Sequence, residues 1–290
     1  MAEDLLLRTL GLVGPGRAGR AFARSWTEAD GRIGWVLGRS GRLSDTSEPA
    51  SSPETDGLPP VGIVVLAVPD DSIRDVAERI APRAPCSFAL HLSGALGADA
   101  LSAFRPHGAA VASFHPVRPF VGAADEDLRG ALVAVEGDPG AVDAGLALAE
   151  RLGARPYRLA STDRGRYHAA ATLAAGGTAA IVSIAVRNWV AIGIPEDVAR
   201  ETLGGLSSRA AAAIAARAFA EAFTGAVARR DAGTVRGHVD ALAREPETLA
   251  LYRALAEETL VRTAGLGRED EIRAILRAGN PARDRNATPS

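Results

Sequence analysis

Lysine is absent from this 290-residue chain; all 33 basic residues are arginine. No lysine can act as general acid, general base or Schiff-base nucleophile, so mechanisms built on one are excluded. Cysteine is almost absent too. Cys86 alone cannot form a disulfide within the chain, which agrees with a reducing compartment. Aromatic residues make up 4% of the chain. A net charge of -2 gives no general attraction to nucleic acid or to an anionic membrane. The first residues, Met1-Ala2-Glu3-Asp4, offer no basic segment ahead of an apolar one. Arg, Asn, Gly or Asp interrupts the longest apolar stretches before they reach membrane-spanning length. The expectation is a soluble cytoplasmic protein with no nucleic-acid or membrane partner. No His/Cys/Asp/Glu set has metal-ligand spacing, so no metal is expected.

What is present begins at Gly14-Pro15-Gly16-Arg17-Ala18-Gly19, after the apolar run Leu10 to Val13 and before a helical pattern. Strand, glycine-rich turn and helix together form a dinucleotide-binding signature. The first glycine permits the turn, and the second lets backbone approach a pyrophosphate. The third lets helix and strand pack, with the helix N-terminus facing the phosphates. The next strand ends Leu37-Gly38-Arg39-Ser40 with no acidic residue for a ribose 2′-hydroxyl. Arg39 and Ser40 suit a 2′-phosphate instead, and the expected cofactor is NADP(H).

The pattern predicts an α/β fold: a doubly wound, mostly parallel Rossmann sheet followed by an all-helical domain. Seven strand-like runs cover Thr9–Val13, Ile33–Leu37, Val61–Val68, Ser87–Leu92, Ala109–Phe114, Leu132–Val135 and Pro156–Leu159. Helices are expected at Arg17–Glu28, Ser72–Ile80, Ala98–Phe104 and Ala141–Leu152. Gly41–Pro60 is polar and reads as a long surface loop. From Asp163 only helices follow: Arg164 to Ile192, Pro195 to about Phe223, Ala232 to about Arg244, and Pro246 to about Ala264. Domains are drawn at 1–160 for the cofactor, 161–279 for substrate and dimerisation, and 280–290 as a frayed tail. Gly176 and Gly177, each costing about 1 kcal/mol in mid-helix, point to close helix packing such as a dimer seam, or to a flat ligand.

Several groups could serve chemistry. His91 and Ser93 lie at the end of a sheet strand, where open α/β folds bind ligands. His115-Pro116 ends the next strand, and Arg118 could clamp a substrate carboxylate. Tyr167 and His168 open the long helix. Adjacent helical residues diverge by about 100°, so one is expected to face the site while the other packs. Asp163 is an N-cap candidate, as is Asp231 with Thr234. His107 and His238 read as surface residues. Thr224 and Arg229 flank a break at Gly225.

With the glycine turn, Arg39-Ser40 and Ala67-Val68-Pro69-Asp70-Asp71, the N-terminal half resembles the superfamily of pyrroline-5-carboxylate reductase. That superfamily also includes 6-phosphogluconate-type dehydrogenases, ketopantoate reductase and deazaflavin-linked NADP reductases. His91-Leu92-Ser93-Gly94-Ala95, Ser113-Phe114-His115-Pro116, Asp163 to Ala170 and Phe223 to Asp231 resemble a less characterised branch with a helical C-terminal domain. The resemblance reaches to about Ala264. It implies NADP(H) held by Gly14, Gly16, Arg17, Ala18, Gly19, Arg39, Ser40, Val68 and Pro69. The catalytic candidates are His91, Ser93, His115 and His168, with Arg118, Tyr167 and Thr224 for substrate. It also implies a homodimer through the C-terminal helices, and a polar residue where Ala175-Gly176-Gly177 stands. The expected reaction moves a hydride to or from the C=O or C=N carbon of a small, carboxylate-bearing metabolite. The alternatives are a ketopantoate-reductase-like enzyme without its lysine, and a non-catalytic NADP(H)-binding sensor or assembly partner.

Overall fold

A computed structural model describes residues 9–38, 57–122 and 126–278. Arg39 and Ser40, and most of the expected surface loop, lie outside the described residues. The chain divides into two compact units, Met1–Ala175 and Gly176–Ser290.

The first unit is built on a seven-stranded sheet. Its strands are β1 (Thr9–Val13), β2 (Arg32–Leu37), β3 (Val61–Leu66), β4 (Cys86–His91), β5 (Ala110–Pro116), β6 (Leu132–Gly137) and β7 (Arg155–Arg158). They are ordered β2-β1-β3-β4-β5-β6-β7. All neighbours are parallel except β5 and β6. Every residue of β3 is buried, as a parallel strand covered on both faces requires. The helices are α1 (Arg17–Glu28), α2 (Ile73–Ile80), α3 (Pro139–Arg151) and α4 (Arg164–Thr172). Phe22 and Trp26 of α1 are fully buried with Leu10, Leu12 and Phe114 in one core cluster. Ile73, Leu101 and Phe104 pack with Val64 and Leu66 in another. The helix expected at Ala98–Phe104 is a 3-10 helix, Ala98–His107, that holds Pro106 and ends at Gly108 with φ +86°. The end of the polar stretch at 57–60 is packed down: Leu58 is buried, and its N–H donates to Arg83 O at 2.7 Å.

The second unit contains α5 (Thr178–Ala191), α6 (Glu196–Ala216), the single turn α7 (Phe219–Ala222), α8 (Ala232–Ala241), α9 (Pro246–Arg262) and α10 (Glu269–Arg277). The α8 cap is the expected one: Asp231 accepts from the Thr234 N–H at 3.1 Å and from its hydroxyl at 2.7 Å. The final helix α10 was not expected from the sequence. It buries Ile272, Ile275 and Leu276 against Val235, Val239 and Leu260. Buried Arg230 braces this cluster, donating to Thr263 O at 2.7 Å and to Glu269 at 3.1 Å.

Two further expectations change. Asp163 precedes α4 but makes no side-chain capping bond; a 3-10 turn at Ser161–Asp163 leads into the helix instead. The expected single helix from Arg164 contains a π segment, Leu173–Gly177, ahead of α5. The helical run Ser161–Ala191 is 31 residues long, with mean hydropathy 1.8 in its most apolar window. Contrary to the sequence expectation, it is long and apolar enough to cross a membrane. Only 6% of that window is buried.

Candidate active site at the carboxyl edge of the sheet

Strand order reverses between β1 and β3, and the carboxyl ends of these strands form the crevice where open α/β sheets bind ligands. The glycine-rich turn leaves β1 here. Gly14 has φ +88°, and its N–H donates to Leu37 O at 2.8 Å. A methyl group on Gly14 would lie 2.6 Å from Ala67 O, so this glycine is required by both conformation and space. Gly19 allows α1 to pass closely over the Gly14 carbonyl. Gly16 differs from both: a methyl group there would meet nothing within 4 Å. It caps the N-terminus of α1 and leaves open space over it. This is the cradle a pyrophosphate needs, with the first N–H groups of α1 around it. Arg17 begins the helix, its aliphatic stem beside Gly122, and Ala18 packs on the core. Val68 borders the turn from β3, and Pro69 precedes a short 3-10 turn. The described part of the cofactor set therefore fits a dinucleotide.

Beyond β4 and β5 lies a second group. His91, Ser113 and Glu136 are register partners across β4, β5 and β6. His91 is fully buried, and both ring nitrogens are engaged. Nδ1 accepts from the Ser93 N–H at 3.2 Å, which places the proton on Nε2 for donation to Gly97 O at 3.0 Å. Burial holds its pKa below the ordinary range. His91 therefore fixes the loop after β4 and has no nitrogen left for substrate. Ser93 is likewise a loop builder: its Oγ accepts from the Ala95 and Leu96 N–H groups, each at 3.1 Å.

His115, at the end of β5, is the centre of the remaining group. Its Nδ1 lies 2.7 Å from the Tyr167 hydroxyl, and its ring stands edge-on to those of Tyr167 and His168. The expectation that Tyr167 and His168 could not both face one point is corrected here. Their long side chains converge on His115 although their Cα atoms diverge. His168 Nδ1 is buried without a hydrogen-bond partner. The reason the rings fit is Gly94: a methyl there would sit 2.5 Å from His168 Nδ1 and 2.7 Å from His115 Nε2. Burial, then the neighbouring His168 and Arg164, push the His115 pKa down to about 4. His115 is therefore neutral at pH 7. Burial raises Tyr167 to about 12, so it keeps its phenolic proton.

Arg118 does not meet these groups freely. Its Nη1 donates to Asp127 O at 2.9 Å, which draws the guanidinium toward the Asp127 loop. Asp127 is itself buried and paired with Arg129. Thr224 belongs to the second unit, where it lines a cavity of about 270 Å³ with His238, Tyr252 and Thr259. His107 and His238 are exposed as expected. Cys86 is an inert thiol, pushed by burial to about 12. Among the described residues no group of three or more His, Cys, Asp or Glu could hold a metal.

Sequence reasoning did not find Arg164 and Glu136. Arg164 Nε donates to Glu136 Oε2 at 2.8 Å, and its Nη2 contacts the same oxygen. Arg164 Nη1 also donates to Gly94 O at 3.1 Å. The one local signal was the position of Arg164 three and four residues before Tyr167 and His168, on the same helix face.

Comparison with known proteins agrees with this architecture. No curated protein matches the chain. Among solved structures it is similar to protein TM1727 from Thermotoga maritima, with 23% identity and TM-score 0.71 over 88% of this chain and 98% of that one. Protein BF3122 from Bacteroides fragilis is similar at 19% identity and TM-score 0.66, over 87% and 98%. Pyrroline carboxylate reductase from Plasmodium falciparum, solved with NADP bound, gives 11% identity and TM-score 0.51 over 88% and 98%. Residues 131–259 match a family model described as a domain of unknown function (DUF2520). The chain thus has the fold of Rossmann-type reductases that carry a helical C-terminal domain.

Proposed function

We propose that this protein is an NADP(H)-dependent oxidoreductase acting on the C=O or C=N carbon of a small, carboxylate-bearing metabolite. The observation that carries the reading is the open space at Gly16 over the start of α1, on the same carboxyl edge as the Tyr167–His115–His168 group. Arg39-Ser40 supports the phosphorylated cofactor, and the NADP-bound relative of the same fold agrees with it.

The nicotinamide supplies the hydride; the chain has to manage one proton. In the tautomer with hydrogen on His115 Nδ1, the Tyr167 oxygen accepts from His115, and its own proton is free for the substrate oxygen or nitrogen. As Tyr167 gives up that proton it takes the one on Nδ1. In the same step His115 takes a proton from solvent at Nε2, the nitrogen over Gly94 beside His168 Nδ1, and so only changes tautomer. No net charge develops on the ring, which suits a histidine whose cationic form is disfavoured. His91 and Ser93 hold the loop that carries Gly94. Arg118, tied to Asp127, leaves the carboxylate-binding group of the substrate unassigned.

The test is in two stages. Quenching of Trp35 and Trp26 fluorescence measures binding of NADPH and NADH. NADPH binding at least about tenfold tighter, or about 1.4 kcal/mol, is expected. Equal affinities remove the Arg39-Ser40 argument, and no binding of either removes the reading. Turnover of 2-keto acids, cyclic imines and ketopantoate is then followed by NADPH absorbance. With an accepted substrate, the neutral His115 form persists as pH falls to about 4. Any histidine-linked change in kcat is therefore expected near pH 4 rather than at the ordinary histidine value of 6.5. Tight NADPH binding with no turnover of the whole panel favours the sensor reading.

We read the exposed apolar side chains of the long helical run as the seam with a second copy of the chain. Leu173 is 72% exposed and Ile192 75%, with Ile181 and Val190 exposed between them. Sedimentation equilibrium of detergent-free protein is expected to give twice the chain mass. A monomer, or protein recovered only in detergent, overturns this assignment.

A further inference from the structure

We infer that the buried Arg164–Glu136 pair is a positioning device: it sets the Tyr167–His115–His168 geometry by holding the first turn of α4 onto the Gly94–Ala98 loop. The inference rests on the reading of that group as the proton-handling centre. Arg164 is 6% exposed, and the Glu136 side chain is 12% exposed. Burying such a pair is costly and contributes little to stability by itself, so its use lies in what it fixes.

It fixes three elements at one point. From α4, Arg164 reaches Glu136 on β6 through Nε and Nη2. The third arm, Nη1, donates to the Gly94 carbonyl at 3.1 Å. The second Glu136 oxygen accepts from the Ala98 N–H at 3.4 Å. The loop is therefore gripped at Gly94 and Ala98, on either side of Gly97, whose carbonyl receives His91. Gly94 is also the residue over which His115 and His168 meet. Tyr167 and His168 follow Arg164 by three and four residues, so the helical face that is clamped is the face that presents them. A forked guanidinium can hold a carboxylate and a carbonyl in one plane; an ammonium cannot. The groups facing His115 are Tyr167, His168 and Arg164 from α4, His91 from β4, and Asp70 from the turn after β3. Of these, Arg164 both places its neighbours and adds a fixed positive charge against protonation of His115.

The test needs no substrate. Protein with 15N-labelled histidine, saturated with NADPH if it binds, is titrated while the five imidazoles are followed by long-range proton–nitrogen correlation. In the wild type, His115 stays neutral down to about pH 4, with a tautomer preference set by the fixed Tyr167 contact at Nδ1. R164M/E136Q removes the pair without stranding a buried charge. Its His115 midpoint is expected to rise as the Arg164 charge is lost, and the tautomers to average. R164K keeps the charge but not the fork. There a low midpoint with averaged tautomers is expected. Wild-type tautomers in R164K, or in a folded R164M/E136Q, overturn the inference and leave the pair a structural weld. If the double variant does not fold by circular dichroism, R164K alone decides. Failure of NADPH binding would remove the proposed function while leaving these histidine spectra readable.

Discussion

Gly16→Val is expected to fold normally and to lose its dinucleotide. The backbone at Gly16 is extended, with φ -74° and ψ -166°, a conformation any residue adopts. A Cβ added there meets nothing within 4 Å beyond its chain neighbours. It fills the space in front of the α1 N-terminus, where phosphate oxygens must come within hydrogen-bond distance of backbone N–H groups. An affinity loss of about 100-fold or more is expected, equivalent to about 2.7 kcal/mol, with only a small drop in melting temperature, from a stability loss of about 1 kcal/mol on placing Val at the N-cap. Gly14→Ala is the contrasting control. It forces φ +88° on a residue with a side chain and overlaps the Ala67 carbonyl. A stability loss of about 3 kcal/mol is expected from strain and overlap together. Thermal melts and NADPH titrations of both variants separate the two glycines. If Gly16→Val binds NADPH like the wild type, the cradle is misassigned.

The two glycines also mark what the sequence made legible. Strand–turn–helix context located the turn, and Arg17–Glu28 became a helix with the expected bounds because its apolar face repeats cleanly. All seven strand runs are strands, and central ones such as β3, parallel and covered on both faces, read as continuous apolar runs. α10 was missed although Ile272, Ile275 and Leu276 recur at helical spacing, because it is only nine residues long and follows the turn glycines Gly265 and Gly267. The π segment at Leu173–Gly177 gave no signal beyond two glycines. The candidate site was legible as residue types at strand ends, not as roles. His91 and His115 look alike in sequence, each near the end of a strand. What separates them is whether both nitrogens find backbone partners, and that is set by a loop returning at Gly97. Glu136 was invisible because its partner Arg164 is 28 residues away, and only the antiparallel turn of β6 brings it beside Ser113.

Gly94→Ala is the sharpest test of the proton-handling centre. Gly94 is not needed for an unusual backbone angle; its φ is not among the positive values found elsewhere in the chain. It is needed for the absence of a side chain. One methyl group would come within 2.5 Å of His168 Nδ1, 2.6 Å of His115 Cε1 and 2.7 Å of His115 Nε2. Neither ring can withdraw easily: His115 is bonded to Tyr167, and Arg164 anchors the helix bearing His168. The methyl therefore separates the two imidazoles and breaks access to Nε2. If proton return through that nitrogen limits turnover, kcat falls by roughly 10²- to 10⁴-fold, the usual worth of a positioned acid–base group. NADPH affinity stays within about twofold, since Gly94 lies outside the Gly14–Gly19 cradle. Moving a buried ring also costs stability, so the melt is measured beside the kinetics. A variant that melts lower but turns over at the wild-type rate would show that the histidine pair only packs. A variant that keeps its fold and its NADPH but loses kcat places the reacting atoms above Gly94, and crystals of that variant with NADPH would then trap substrate candidates without turnover.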